Sequence, residues 1–155
     1  MDRISGRVVL AGLGCPGRGD DGAGCALARS LMGHPSLRSL DCGDRPENYT
    51  GDIAREEPDC VLLADALEMG GHPGDVAILE AEELGGGGFE THRASVGILM
   101  EYLRRRTGAR VLFLGIQPSQ ISEGEGLSPE VAASVENLAR LLGETKALQG
   151  GDHGH

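Results

Sequence analysis

The chain has 155 residues, the size of one ordinary domain. Its 14 basic and 24 acidic residues give a net charge of −10, which argues against nucleic-acid partners and against docking on anionic lipid. No stretch approaches the roughly 20 apolar residues of a transmembrane helix, and the N-terminus does not resemble a signal peptide. The four cysteines form no C-x-x-C pair, which favours a reduced, cytoplasmic protein. No apolar stripe demands a dimer, so we expect a monomer.

Apolar runs that alternate with helical patterns predict the secondary structure in chain order. Aromatic residues make up only 3% of the chain, so the core must consist of Val, Leu, Ile and Ala. The predicted strands cover residues 7–13, 37–42, 60–66, 75–79 and 110–116. The predicted helices cover 20–31, 48–57, 94–106 and a segment that begins at Pro129 with Ser128 as its N-cap. The glycines at 85–88 predict a loop.

This alternation predicts the fold class. Continuous apolar strands between helices are typical of a parallel sheet that is covered on both faces. We therefore expect a single three-layer α/β domain over 1–143, with a mostly parallel, twisted sheet of about five strands. The apolar periodicity ends after Gly143, so 144–155 are expected to form a disordered tail. In such sheets ligands bind beyond the carboxyl ends of the strands, which directs attention to 12–21, 41–48, 65–74 and 117–128.

The loop after the first strand contains a literal G-x-G-x-x-G pattern at Gly12, Gly14 and Gly17. With Asp41 as the ribose-binding acid, this pattern suggests a small nucleotide-binding module. However, Asp20 and Asp21 occupy the helix start, where a pyrophosphate would bind. Like charges at close range repel by about 3 kcal/mol. The helix dipole returns only about 0.3–1 kcal/mol. The charges therefore argue against nucleotide binding but leave it as an alternative.

The same carboxylates fit a cation better. Asp65 directly follows a buried run, and His92 begins a helix that could reach the same edge of the sheet. Together with Asp21 they supply two oxygen ligands and one nitrogen ligand, with room for water or substrate. A metal held there could polarise a carbonyl or activate water. Each residue also has a structural interpretation, as a helix cap, a turn residue or a surface histidine. An α/β metallo-hydrolase or aminopeptidase-like enzyme with its own metal is thus a further alternative.

Several segments of the chain resemble the hydrogenase maturation endopeptidases, in order and in spacing. These proteases remove a C-terminal extension from the large subunit of nickel–iron hydrogenases. The resemblance covers about 8–142. The THR and LGIQP segments are most similar to the branch that serves hydrogenases of the formate-hydrogenlyase type. The segments that carry the resemblance are GLGCPGRGDDGAG (12–24), DCGDRPEN (41–48), ADALEMGGHPGDV (64–76), THR (91–93), LGIQP (114–118) and GLSPEV (126–131).

The resemblance implies a site and a substrate. It implies that Asp21, Asp65 and His92 bind the metal and act in catalysis. It also places Asp41 and Gly43 in a loop for substrate recognition. The metal is nickel that the hydrogenase large-subunit precursor already carries, so the free protease is expected to hold little metal itself. The chain departs from the family at Cys15, where Asn is usual, and at Cys42, where Gly is common.

Overall fold

A computed structural model describes residues 4–85, 91–119 and 126–153. Its strands form one five-stranded sheet in the order β2-β1-β3-β5-β4. β1, β2, β3 and β5 run parallel, and β4 is antiparallel to β5. The mostly parallel sheet of about five strands is therefore confirmed. The strands are β1 (Val8–Leu13), β2 (Arg38–Gly43), β3 (Cys60–Ala66), β4 (Val76–Leu79) and β5 (Arg110–Ile116).

Helices lie between most of the consecutive strands, whereas β4 follows β3 without one and α5 follows β5. Short 3₁₀ helices at Gly19–Gly22 and Pro46–Tyr49 precede α1 and α2. Within the described ranges, no helix has both the length and the apolar character needed to cross a membrane. The α-helices are α1 (Ala23–Ser30), α2 (Thr50–Arg55), α3 (Ala81–Gly85), α4 (Thr91–Thr107) and α5 (Pro129–His153).

The core has two halves because side chains of a strand point alternately to the two faces of the sheet. On one face, Val8 and Leu10 pack in a cluster with residues of α1 and α5. On the other face, Val9 and Ala11 pack in a second cluster with residues of α2, α3 and α4. Helices thus cover both faces, which confirms the three-layer arrangement.

Two glycines let α1 lie close against the sheet. A Cβ atom at Gly24 would overlap the backbone of Ala64 in β3. A Cβ atom at Gly12 would overlap the backbone of Gly24 and approach Ala28 Cβ to 2.6 Å. Part of the glycine-rich pattern is therefore explained by close packing of helix on sheet, without any bound phosphate.

The helices at α1 and α5 differ most from the sequence-based expectation. The predicted helix over 20–31 is divided into the 3₁₀ turn and α1. At the other end, α5 continues to His153, where a disordered tail was expected after Gly143. Apolar periodicity reports a buried face and not the helical backbone itself, and the segment contains good helix formers such as Glu144 and Ala147. The loop expected at 85–88 lies outside the described residues beyond Gly85, the last residue of α3.

Candidate active site

A cleft of about 900 Å³ opens at the carboxyl edge of the sheet. Its walls come from the loop after β1, the loop after β2 and one side of α4. Asp21, Asp65 and His92 all line it. The strand order reverses direction between β1 and β3, and this switch point is where α/β sheets of this order bind ligands. The fold therefore brings the three predicted residues to one place.

The centre of the cleft is a pair formed by Asp65 and His92. Asp65 lies near the end of β3 and is only 2% exposed. Its Oδ1 accepts a hydrogen bond of 2.8 Å from the N–H of Ala66. Its Oδ2 lies 3.3 Å from Nε2 of His92, whose side chain is 57% exposed. His92 stands in the first turn of α4, so the pair connects a buried carboxylate with an imidazole that faces the cleft.

The electrostatic environment of Asp65 is unfavourable to its negative charge. Burial raises the pKa of its carboxyl, and the hydrogen bond and charge of His92 only partly offset this effect. The nearby charge of Asp21 raises this pKa further. A cation in the cleft would favour the ionised form of both carboxylates. The site therefore has the electrostatics of a place that receives positive charge.

Gly14 joins the loops that carry these residues. Its N–H donates to the carbonyl of Gly43 at 2.9 Å, which connects the ends of β1 and β2. At its φ of +125°, a Cβ would overlap the carbonyl oxygen of Asp21 and lie 2.9 Å from Oδ1 of Asp65. The N–H of Cys15 donates to the Asp21 carbonyl at 3.1 Å. The Gly14 and Cys15 N–H groups thus bond to protein carbonyls, whereas a nucleotide-binding loop directs such groups at phosphate.

Asp20 has a structural role. It is buried, and its carboxylate accepts backbone and hydroxyl hydrogen bonds of 2.7–3.0 Å from Ser119 and Ser128. Burial alone would raise its pKa, but these hydrogen bonds outweigh burial and hold the pKa below its ordinary value. Ser128 precedes α5 as predicted, yet its hydroxyl bonds to Asp20. Asp21 is thus the one of the two adjacent carboxylates that lines the cleft.

The metal assignment stays a prediction. Within residues 4–85, 91–119 and 126–153, no group of three or more His, Cys, Asp or Glu side chains is arranged to hold a metal ion. Asp65 and His92 are in contact, and Asp21 shares their cleft. Cys15 also lines the cleft and is half-buried, whereas Cys25 and Cys42 are buried, which raises the pKa of each thiol to about 12.

The two predicted recognition residues separate. Gly43 lines the cleft, but Asp41 is not among the lining residues that the structure describes. Instead, Oδ2 of Asp41 accepts a 2.7 Å ion-paired hydrogen bond from Nε of Arg29 in α1. Because side chains alternate along β2, Asp41 and Ser39 lie on the same face of the strand. The hydroxyl of Ser39 donates a hydrogen bond of 2.6 Å to the carbonyl oxygen of Ala28 in the same helix. The recognition role of Asp41 stays a prediction.

Some lining residues were not predicted individually. Asp44 and Glu47 lie on the wall that follows β2, and Arg18 lies in the loop after β1. All three fall within the strand-end segments that the sequence indicates, but nothing in the sequence distinguishes them there. The side of α4 beyond His92 was predicted only as a helix with an apolar face. This side of α4 also lines the cleft, through residues that include Ile98 and Tyr102.

Known proteins are similar to this chain over most of its length. A family model described as hydrogenase maturation protease matches residues 25–144, a range that includes Asp65 and His92. The hydrogenase 3 maturation protease of Escherichia coli K12 is 31% identical over 137 residues, which are 86% of this chain and 87% of that protein.

Solved structures show the same similarity. The crystal structure of a NiFe hydrogenase maturation protease, HycI, from Thermococcus kodakarensis matches with a TM-score of 0.83 and 34% identity, over 92% of this chain and 95% of that one. The solution structure of the endopeptidase HycI from Escherichia coli matches with a TM-score of 0.75 and 29% identity, over 87% and 88% of the two chains. With its sheet order, its cleft and these matches, the chain belongs to the hydrogenase maturation protease family and is a peptidase of hydrogenase processing.

Proposed function

We propose that this endopeptidase removes the C-terminal extension of a nickel–iron hydrogenase large-subunit precursor after nickel has been inserted. The nickel held by the precursor serves as the recognition device. The observation that carries the proposal is the contact of 3.3 Å between buried Asp65 and exposed His92, in the cleft that Asp21 also lines. The enzyme works in the cytoplasm as a monomer, and its substrate belongs to a hydrogenase of the formate-hydrogenlyase type.

The ligand types suit a metal that belongs to the substrate. Asp21, Asp65 and His92 offer two carboxylates and one imidazole, which bind Ni²⁺ without the strong contribution of thiolates. Such a set can contact the precursor's nickel without removing it. The raised pKa of Asp65 supports this interpretation, because a positive charge in the cleft relieves the cost of its buried negative charge.

These contacts align the scissile peptide for attack by water. A carboxylate of the site takes a proton from the attacking water while the oxygen of that water bonds to the peptide carbon. The carbon–nitrogen bond then breaks, and the leaving nitrogen receives the same proton from the carboxylic acid, which returns to its ionised form. Gly43 forms part of the wall along which the peptide lies, and Asp41, which pairs with Arg29, lies two residues before it.

A processing assay tests the proposal. The protein is mixed with a large-subunit precursor in a nickel-loaded or a nickel-free form, and mass spectrometry of the precursor identifies its C-terminus. We expect cleavage of the loaded form alone. Cleavage of both forms would show a protease for which nickel is not the signal. With cleavage of neither form, elemental analysis of the purified protein for zinc or a similar ion would test a resident-metal hydrolase, and titration with NADH or ATP would test nucleotide binding.

A further inference from the structure

One side of α4 continues from His92 along the cleft as an exposed apolar surface. Ser95, Leu99 and Tyr102 follow His92 at helical spacing, and all of them line the cleft. Ile98 also lines it and is 72% exposed, while Tyr102 is 48% exposed. The mechanism proposed above uses His92 alone from this helix. The remaining residues of this surface therefore have no assigned role.

The length of this surface matches a short peptide. The ten residue steps from His92 to Tyr102 rise by about 15 Å along the helix. An extended chain covers the same distance with about four or five residues, at about 3.3 Å each. A peptide whose scissile bond lies at His92 can thus place a side chain beside Ile98 and Tyr102.

The cleft also carries negative charge. Asp44 and Glu47 line it on the wall that follows β2, and Asp21 lines it from the loop after β1. Arg18 and His92 are the basic groups among the described lining residues. Asp44 and Glu47 have no ion-pair partner among the salt bridges of the described residues. The cleft therefore presents an apolar wall and an acidic wall to the same ligand, which fits a segment that carries both apolar and basic side chains.

We propose that Ile98 and Tyr102 form a docking surface for the precursor segment next to the scissile bond, with Asp44 and Glu47 facing its basic side chains. The surface is continuous with the cleft that holds Asp65 and His92, and this continuity selects the substrate chain as the occupant. The inference rests on the proposed endopeptidase function. It adds a specificity-determining surface that is separate from the reacting groups.

The test compares Ile98→Ser and Tyr102→Ser with Met32→Ser. Met32 follows α1, is 57% exposed and is not among the described residues that line the cleft, so it is a matched control. Processing of the nickel-loaded precursor is measured over a range of precursor concentrations. We expect each α4 variant to raise KM about tenfold with kcat unchanged, as the loss of one buried apolar anchor does. Met32→Ser should keep the wild-type KM. Circular dichroism melting confirms that the variants are folded.

The acidic wall has its own readout. Asp44→Asn combined with Glu47→Gln should raise KM at low salt and make KM less dependent on salt, because screening then has fewer charges to act on. An unchanged salt dependence would overturn the charge component of the proposal.

The outcomes also separate this surface from the function it rests on. If wild type and both α4 variants cleave the precursor with equal KM, the docking surface is wrong and the endopeptidase stands. If sedimentation shows a dimer that the α4 substitutions dissociate without changing KM, the surface binds a second copy and the proposal is wrong. If wild type neither cleaves nor binds the precursor in a pull-down assay, both proposals fail.

Discussion

Two buried aspartates at this site have opposite environments. The carboxylate of Asp20 is surrounded by hydrogen-bond donors of Ser119 and Ser128, which stabilise its charge. The carboxylate of Asp65 is almost completely buried, and its described partners are the N–H of Ala66 and the ring of His92. Asp20 therefore stabilises the fold, whereas the charge of Asp65 destabilises the free protein and is available to a ligand. This contrast leads to predictions of opposite sign.

His92→Ala should abolish processing and leave the thermal midpoint almost unchanged. Its side chain is 57% exposed, so the change should cost less than about 1 kcal/mol of the free energy of unfolding. His72→Ala is the matched control, because His72 is exposed in a loop and should process normally. Processing is measured by mass spectrometry and the midpoint by calorimetry. A large fall in the midpoint would show that His92 is structural.

Asp65→Asn should abolish processing and raise stability at neutral pH. Burial raises the pKa of Asp65 in the folded state, so the unfolded chain ionises first as the pH rises above about 3.9. The wild type then loses stability until the pH passes the folded pKa. The advantage of the amide should therefore be small near pH 4 and larger at pH 7. Urea unfolding across this range measures it, and a variant less stable than wild type at pH 7 contradicts the prediction.

Asp20→Asn should lower stability by about 1–3 kcal/mol, because an amide nitrogen would face hydrogen-bond donors that the carboxylate now satisfies. The folded pKa of Asp20 is below its ordinary value, so its carboxylate contributes stability above an unfolded pKa of about 3.9. That contribution is lost as the pH falls through the folded pKa. The difference between wild type and variant should thus be greatest at neutral pH and shrink in acid. A constant difference in urea unfolding from pH 7 to pH 3 would contradict the assignment.

At the scale of elements, Gly14 constrains the conformation of the loop after β1 more than the neighbouring Gly17 does. Gly14→Ala should cost at least about 2 kcal/mol and abolish processing, since the new methyl group overlaps Asp21 O at an unfavourable φ. Gly17→Ala is the control in the same loop, because its Cβ would meet no described atom within 4 Å. The control should melt and process as wild type does. Equal behaviour of the two variants would mean that the loop adapts freely.

The strands were predictable because they are continuous apolar runs. β3 and β5 have the predicted ends, β1 begins one residue later than predicted, and β2 is shifted by one residue at both ends. The antiparallel direction of β4 was not predictable from its apolar run, because strand direction depends on the connections around it. The end of α5 was missed for a related reason, since apolar periodicity identifies the part of a helix that is buried.

The candidate site was predictable where its residues stand directly at strand and helix ends. Asp65 follows the buried run of β3, and His92 begins α4, so parallel strands and a helix start bring them together. The contact between Asp41 and Arg29 could not be predicted, because the direction of a side chain depends on strand alternation. The exposed surface at Ile98 and Tyr102 could not be predicted, because a sequence does not show which face of a helix is left exposed in the fold.

At the scale of the whole molecule, the sheet order explains why these residues meet. β1 lies between β2 and β3, and the chain crosses over β1 when it passes from β2 to β3. The loops after β1 and β3 therefore open a crevice between them, and Asp21 and Asp65 stand at its two sides. α1 can approach this crevice because Gly12 and Gly24 carry no side chains. The position of the site is thus a consequence of topology and of close helix packing together.

The extent of the functional domain can be tested by shortening the chain. The buried residues described in α5 are Val131, Val135 and Leu142, and the apolar periodicity of the sequence ends after Gly143. A chain that ends at Glu144 should therefore keep the thermal midpoint and the processing activity of the full chain. Lys146 and Asp152 are the charged residues removed, and they cancel, so the net charge of −10 is unchanged. Ending the chain at Val135 removes buried Leu142 and should prevent folding. Calorimetry and the processing assay are applied to both shortened chains. A loss of activity in the chain that ends at Glu144 would show that the functional domain extends beyond 1–143.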